Sequence, residues 1–337
     1  MKHRRVVVLR YGGPEVLKVV EEDLPEPLPG EVRVKTLAAG VSAYDLMIRS
    51  ISLPGNPRVP FTPGEDLVGV VDALGEGVSS VELGQRVAAW TFGRSGTYAE
   101  FVCLPAGDAI PVPASLDSAE AVALVVNYLT ARLYLHRTAK VCSGERILVH
   151  GAAGGLGTAL LDLGREAGLE AYGTASAYNH AVVSSLAATP IDYRAEDFVE
   201  RIRELTGDGV DVVFDPIGGA RQLQRSYRAL RKGGRLVPLG SVATATAGRK
   251  VVPLSLFAIF LLKLVPDGRR VPLSPNMMKF PHTHRTWYRE SLAELLDWAA
   301  TGRITPVVAE RIPLTEAARA HERLEHGGFA GKVVLVT

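Results

Sequence analysis

The sequence predicts an α/β protein that joins a β-rich part to a doubly wound parallel sheet. Three observations carry that prediction. The first third of the chain holds short strand patterns: "RRVVVLRYGG", "EVRVKTLAAGVS", "DLVGVVDALGEGV", "QRVAAWT" and "GTYAEFVCLP". Gly and Pro turn signals separate them. From residue 118 onward, strand and helix patterns alternate. A glycine cluster, "LVHGAAGGLGTALL" at 148–161, follows a strand pattern and opens a helix pattern.

No helix of any length divides the first two strand patterns, so an antiparallel or barrel-like domain is expected there. The texture changes at "SAEAVALVVNYLTARLYLHRTAKV", where apolar residues fall at helical spacing and Asp117 and Ser118 are available as caps. Then "RILVHG" reads as a strand, "LGTALLDLGREAG" as a helix, "LEAYGTAS" as a strand, "NHAVVSSLAA" as a helix and "PIDY" as a short strand. "AEDFVERIRELTG", "VDVVFDPIG", "ARQLQRSYRALRKGG" and "RLVPLGS" continue as helix, strand, helix and strand. Such alternation implies a parallel sheet with helices on both faces. Two further amphipathic helices, "YRESLAELLDWAATGRI" and "EAARAHERLEHGG", precede a closing strand, "GKVVLVT".

The bulk properties set limits on function. With 337 residues, 47% of them hydrophobic and 22% charged, the chain can bury the cores of two domains. A net charge of +2 lacks the basic excess of a general nucleic-acid binder. The first apolar run is too short for a signal-peptide core, so a cytoplasmic protein is expected. The most apolar run, "PLSLFAIFLLKLVP" at 253–266, is bounded by prolines and carries Lys263. It falls short of the ~20 residues of a spanning helix and reads as a buried or partner-facing one. Cys103 and Cys142 have no metal-type spacing and support no disulfide framework. Cys103 sits in an alternating strand pattern as sheet filler.

In a dinucleotide-binding unit, loop glycines permit a tight turn, close approach to a pyrophosphate and close helix packing. The helix N-terminus then favours the anion. Gly154 and Gly157 hold the second and third glycine positions here, and Ala152 takes the first. The strand–loop–helix context is the one the motif requires. NAD sites commonly place an acid at the end of the second strand to hold the ribose. No Asp or Glu stands between Ala171 and His180. A carboxylate there would repel a 2′-phosphate, so its absence favours NADP. Ser176, His180 and Tyr193 are the polar groups near that end. Ser176 is a ligand contact or a helix cap, and His180 a ligand contact or a solvated surface residue.

The chain resembles the medium-chain dehydrogenase/reductase superfamily, specifically its zinc-independent quinone oxidoreductase and enoyl reductase branch. The resemblance runs through "YGGPEVLKV", "PGEVRVKTLAAGVSAYDLMIRS", "TPGEDLVGVVDALGEGV", "GTYAEFV", "NYLTA", "GAAGGLG", "DVVFDPIGG", "GGRLVPLGS" and "GKVVLV". It implies a GroES-like catalytic domain in residues 1–120 and 276–337, with a Rossmann NADP(H)-binding domain in residues 121–275 between them. It also implies a cleft between domains and, usually, a homodimer. The implied activity is delivery of a hydride from NADPH to a small apolar quinone or α,β-unsaturated carbonyl acceptor, with one dedicated substrate of a biosynthetic pathway as an alternative. The branch also resembles non-catalytic NADPH-binding proteins of the vesicle amine transport and crystallin type.

Zinc members of the superfamily carry a cysteine where Ser42 stands and a histidine before the position of Glu65. Neither is present, nor is the four-cysteine lobe. A catalytic zinc needs three protein ligands and an open position, so no metal is expected. His282 and His284 form an isolated H-x-H, read as solvated loop histidines. Family-matched cofactor positions are Thr130 near the nicotinamide, Gly154, Gly155, Leu156 and Gly157 at the pyrophosphate, and Ser176, His180 and Tyr193 near the adenosine phosphate. Ile217, Gly240 and Ser241 follow later strands. Lys332 either reaches the cofactor from the closing segment or is a turn lysine in solvent.

Ser42 and Tyr44 are the expected substrate-facing catalytic groups, a tyrosine hydroxyl being able to donate to an enolate. Tyr44 could equally be a core aromatic. Asp45 reads as a capping residue of the helix that follows. This chain departs from the family at Leu53, where a tyrosine is often present. It departs again at His180, which stands in place of a phosphate-binding lysine and carries charge only when protonated, with an ordinary pKa of ~6.5. Residues 250–285 suit an apolar substrate mouth, a lid or a dimer contact.

Overall fold

The computed structural model describes residues 1–51, 57–239, 251–276 and 279–337, with the backbone alone at residues 251, 252 and 281. The chain divides into two compact units. The first comprises Met1–Leu129, Asn276–Gly327 and Lys332–Thr337, and the second Thr130–Pro275 and Gly328–Gly331.

The first unit is the β-rich one. β1 (Lys2–Val8) and β2 (Leu17–Asp23) pair antiparallel. β3 (Glu31–Val41), β4 (Asp66–Leu74), β5 (Arg86–Trp90), β6 (Phe101–Pro105) and β7 (Ile110–Pro111) follow in antiparallel pairs. β13 (Val308–Pro313) and β14 (Lys332–Val336) complete a sheet of order β13-β14-β3-β4-β5-β7, with β6 on β3. The closing strand therefore lies inside the sheet, between β13 and β3. Strand alternation sends Val32, Val34, Leu67, Val71, Val87, Val102 and Leu104 into one core. The unit extends to Leu129 because helix α2 (Ser118–Ala123), capped by the Asp117 carboxylate, packs on β3, β4 and β14.

The second unit is the doubly wound one. Its parallel sheet has the order β10-β9-β8-β11-β12. The strands are β8 (Arg146–His150), β9 (Glu170–Ala175), β10 (Ala188–Asp192), β11 (Val210–Asp215) and β12 (Leu230–Pro238). The chain runs outward from β8 through β9 to β10, then returns to β11 beside β8. The crevice between β8 and β11 is the topological switch point where such sheets bind ligands. Helices α4 (Gly155–Glu166), α5 (His180–Ser185), α6 (Phe198–Thr206) and α7 (Ala220–Arg228) connect the strands. The strands β8 and β11 are buried along nearly their whole length, as expected of a sheet covered on both faces.

Two elements differ from the sequence reading. The helix read over "ARQLQRSYRALRKGG" ends at Arg228, and β12 begins at Leu230. Leu230 pairs with Val210, but Arg235 then pairs with Val212, so residues 231–234 bulge out of register. Gly233, with φ of +81°, supplies the left-handed turn of that bulge. The run at 253–266 forms the helix Val251–Lys263, which is only partly buried. Leu262 and Ile259 pack on the sheet core, whereas Leu254, Leu256, Phe257 and Phe260 are more than half exposed. Among the described residues, no helix is long and apolar enough to cross a membrane.

The first unit buries several charges. Lys332 Nζ donates to Asp66 Oδ2 at 3.0 Å, with both side chains almost wholly out of water. Arg49 is enclosed beside His321 and pairs with Glu325. Glu65 accepts from Gly93 N–H at 2.6 Å, the Ser95 hydroxyl at 2.8 Å and the Thr91 hydroxyl at 3.2 Å. Burial, and then the charge of Asp45, push the Glu65 carboxyl up to about 7.

Two measurements check these packing relations. A folded Glu65 retains its proton at pH values where the unfolded chain, with a pKa near 4.5, has lost it. Its contribution to stability is full below that value and declines as the pH rises through about 7. Melting temperatures from pH 4.5 to 8 should therefore show Glu65→Gln gaining on the wild type with rising pH. A constant difference between the two would contradict the assignment. In the second unit, a Cβ on Gly157 would fall on the Gly151 carbonyl oxygen and within 2.7 Å of Ala152 Cα. Gly157→Ala should cost about 1–3 kcal/mol in denaturant unfolding, the usual effect of overpacking against backbone.

Candidate dinucleotide site and polar cluster

The glycine loop occupies the carboxyl end of β8. Gly151 takes φ of +61°, a left-handed conformation that glycine adopts without strain. Gly154 N–H bonds back to Gly151 O at 2.9 Å, and Ala152 N–H bonds to Thr174 O on β9 at 3.0 Å. The loop is thus closed on itself and tied to the next strand. Gly154 is the N-cap of α4, and no side chain caps that helix. The first-turn N–H groups of Gly155, Leu156 and Gly157 have no intrahelical acceptor. Gly151 and Gly154 are exposed, and Gly155 and Leu156 half-exposed, so the helix end is open to an anion.

A second strand of chain braces this loop. Residues Gly328–Gly331 belong to the second unit, although β14, which follows, belongs to the first. Gly331 N–H donates to Ala153 O at 2.8 Å, Gly331 and Gly154 form a parallel bridge, and Asn179 Nδ2 donates to Phe329 O at 3.2 Å. No periodic pattern in the sequence signals these contacts, which join residues more than 140 positions apart.

Ile217 lies at the other wall of the switch point. Its Cδ1 would stand 3.7 Å from a Cβ on Gly151. The turn that holds it is fixed by Asp215, whose Oδ1 accepts from Ile217 N–H at 2.9 Å and Gly218 N–H at 3.0 Å. Thr130, in the short helix α3 (Leu129–Arg132) between two wider π-helical turns, is almost fully buried.

At the end of β9, Ser176 precedes a short 3-10 turn but makes no side-chain capping bond, so the capping alternative is not the structure's. His180 opens α5 half-buried, and its Nε2 is enclosed with no hydrogen-bond partner among the described residues. It is therefore not a freely solvated side chain. β10 pairs with β9 in parallel, Asp192 opposite Ala175, and Tyr193 and Ser176 are the residues that follow these two strand ends. Tyr193 is 53% exposed, and the Arg194 guanidinium lies over its ring at 5.6 Å. Arg194 is a cation beside Tyr193 that no motif in the sequence marks. Leu53, Gly240 and Ser241 lie outside the described residues.

In the first unit, Ser42 is the N-cap of α1 (Ala43–Ser50) in a reciprocal capping box with Asp45. Its N–H and hydroxyl both donate to Asp45 Oδ2, at 2.8 and 2.6 Å. Asp45 Oδ1 accepts from Gly64 N–H at 3.0 Å. The Ser42 proton is committed, so the expectation of a substrate-facing donor gives way to a capping role. Burial raises the Asp45 carboxyl to about 6 against these hydrogen bonds. Tyr44, on the same turn, is half-buried. Desolvation, with the nearby charges of Glu65 and Asp45, pushes its phenol up to about 12, so it holds its proton at neutral pH. Lys332 is buried in its ion pair with Asp66 rather than standing in solvent.

A zinc ion does not suit these groups. Ser42 stands bonded to Asp45, Glu65 is occupied by three donors, and among the described residues no cluster of three His, Cys, Asp or Glu side chains could hold a metal. His284 stacks on Phe280 at 4.0 Å, and the His282 ring lies 6.0 Å from that of Phe92.

Comparison with known proteins identifies the family. Residues 28–114 match the alcohol dehydrogenase GroES-like domain, and residues 186–335 the zinc-binding dehydrogenase family. The quinone oxidoreductase of Rattus norvegicus is 30% identical over 99% of this chain and 97% of its own. The synaptic vesicle membrane protein VAT-1 homolog of Danio rerio is 31% identical over 99% of this chain and 70% of its own. The crystal structure of Escherichia coli quinone oxidoreductase complexed with NADPH superposes with a TM-score of 0.88 at 31% identity, over 99% of this chain and all of that one. The chain belongs to the medium-chain dehydrogenase/reductase superfamily, in the branch of the quinone oxidoreductases.

Proposed function

We propose that the protein is an NADPH-dependent reductase of a small apolar acceptor, a quinone or an α,β-unsaturated carbonyl compound. The observation that carries this reading is the second unit's switch point. An uncapped helix N-terminus opens there beside a glycine loop that leaves no room for a Cβ at Gly157. The end of β9 carries Ser176 and no acid. These residues fit a dinucleotide with a phosphorylated ribose.

When bound, NADPH supplies the hydride that such a reduction needs. The protein's own part is binding and proton handling. The N–H groups of Gly155, Leu156 and Gly157 would hold the pyrophosphate. Ser176, Tyr193 and His180, with Arg194 as the nearby permanent cation, would hold the 2′-phosphate. Ile217 would pack against the nucleotide across the switch point, and Thr130 would contact its nicotinamide end. In the first unit, the neutral Tyr44 phenol is a donor for a carbonyl oxygen on which negative charge develops. Ser42 and Asp45 hold the helix turn that carries it. Lys332, already paired with Asp66, supports the closing strand.

A second reading has its own support, since several relatives are VAT-1 homologs of synaptic vesicles. On that reading the protein binds NADPH without turning over an acceptor. Homodimer formation is expected on either.

Three results test the proposal. NADPH oxidation followed at 340 nm with a panel of quinones and enones should show turnover. Tight NADPH binding without turnover on any acceptor would favour the second reading. Tyr44→Phe should lower kcat by about tenfold or more while leaving the KM for NADPH near wild type, the pattern of a lost transition-state contact. An unchanged kcat would remove Tyr44 from the mechanism. Ser176→Asp should raise the KM for NADPH about tenfold while leaving that for NADH within about twofold, because an added carboxylate repels the 2′-phosphate. Equal effects on both would place the 2′-phosphate elsewhere.

A further inference from the structure

Beneath the switch point lies a chain of buried polar groups that the proposed chemistry does not use. His150 ends β8, Thr174 lies near the end of β9, Asp215 ends β11 and Ser226 lies on α7. All four are buried. Ser226 Oγ donates to Asp215 Oδ2 at 2.6 Å and stands 3.1 Å from His150 Nε2. Thr174 Oγ1 stands 3.0 Å from His150 Nδ1. The Ser226 hydroxyl has a single proton, and the short bond to a carboxylate takes it. His150 Nε2 must therefore donate to Ser226, and His150 Nδ1 accepts from Thr174. Burial disfavours a charged His150, which agrees with a neutral ring carrying its proton on Nε2. Phe198 stands edge-on to that ring at 4.6 Å and closes it off from solvent.

The bonds all run one way, from Thr174 through His150 and Ser226 to Asp215, and so reinforce one another. At the far end, Asp215 Oδ1 holds the N–H groups of Ile217 and Gly218. At the near end, His150 is the residue before Gly151, where the glycine loop begins. The network therefore joins the two walls of the crevice from below.

We infer that Thr174, His150, Ser226 and Asp215 are positioning residues that set the spacing between the glycine loop and the Ile217 turn, and through it the affinity for the dinucleotide. The inference rests on the proposed NADPH site for its functional part. Its structural part, that the network holds the Ile217 turn, stands without the nucleotide.

The test uses Ser226→Ala, with Thr174→Val as a shape-conserving second variant should the first fail to fold. Ile202→Val, a buried change in the same unit that removes none of the four hydrogen-bonding side chains, is the control for general loss of stability. Ser226→Ala should raise the NADPH dissociation constant and KM about tenfold, with kcat changed less than about twofold, and Thr174→Val should raise them about threefold. In the absence of nucleotide, amide hydrogen exchange at Ile217 and Gly218 should quicken in both network variants and not in Ile202→Val. Unchanged exchange at those two amides would overturn the inference, whether or not the wild type binds NADPH. So would dissociation constants that follow melting temperature alike in all three variants. Failure of the wild type to bind NADPH, with the exchange difference present, would instead remove the proposed cofactor and leave the network its hold on the turn.

Discussion

The tightest constraint in the second unit is the contact between the first turn of α4 and the loop that precedes it. The Gly151 carbonyl and the Ala152 backbone occupy the space that a side chain on residue 157 would need. Because glycine stands there, the helix can begin directly on the end of β8. Its unpaired N–H groups then project at the switch point instead of being shielded by a capping side chain. The returning segment Gly328–Gly331 bridges Gly154 and donates to Ala153 O, so the loop is braced from outside as well as packed from within. A polar chain from Thr174 to Asp215 fixes the facing turn. The affinity of such a site for a pyrophosphate comes from geometry fixed before the ligand arrives, which spares the entropy of ordering a loop on binding.

The first unit is organised by buried charge. Breaking an enclosed pair such as Lys332 with Asp66 leaves a charge without compensation, typically a loss of about 3–5 kcal/mol. That pair ties β14, the last strand of the chain, to β4, and Asp66 also accepts from Val126 N–H at the end of the α2 segment. Three parts of the sequence separated by some of its longest intervals are thereby held to one carboxylate. Asp45 and Glu65 are enclosed without an ion pair of their own, and burial makes both carboxyls ionise late against the N–H and O–H donors that hold them. Burial, and then their charges, raise the Tyr44 phenol, which keeps the proton that it can donate.

Much of the architecture was legible in local patterns. The alternation of apolar residues predicted the antiparallel strands, and the alternation of strand and helix patterns predicted the parallel sheet. The glycine loop announced itself by its place between a strand and a helix. Where the reading slipped, a local signal conflicted with a tertiary one. "RALRKGG" continues a helical composition, but sheet pairing at Leu230 wins and the glycines absorb the mismatch as a bulge. The helix Val251–Lys263 is apolar all round, and composition gave no means of telling its packed face, at Ile259 and Leu262, from its exposed one.

The site divides along the same line. The sequence by itself determined the strand–loop–helix unit, the missing acid at the end of β9 and the absence of zinc-type ligands, because each depends on residue type at short spacing. Only the tertiary structure decided that Lys332 is enclosed against Asp66 and that Gly328–Gly331 returns to brace the glycine loop. It alone brought His150, Thr174, Ser226 and Asp215 into one chain of hydrogen bonds. A hydrogen bond acts over about 3 Å, and its partners here come from different strands and helices. Their meeting is fixed by sheet order and register, which no local stretch of sequence records.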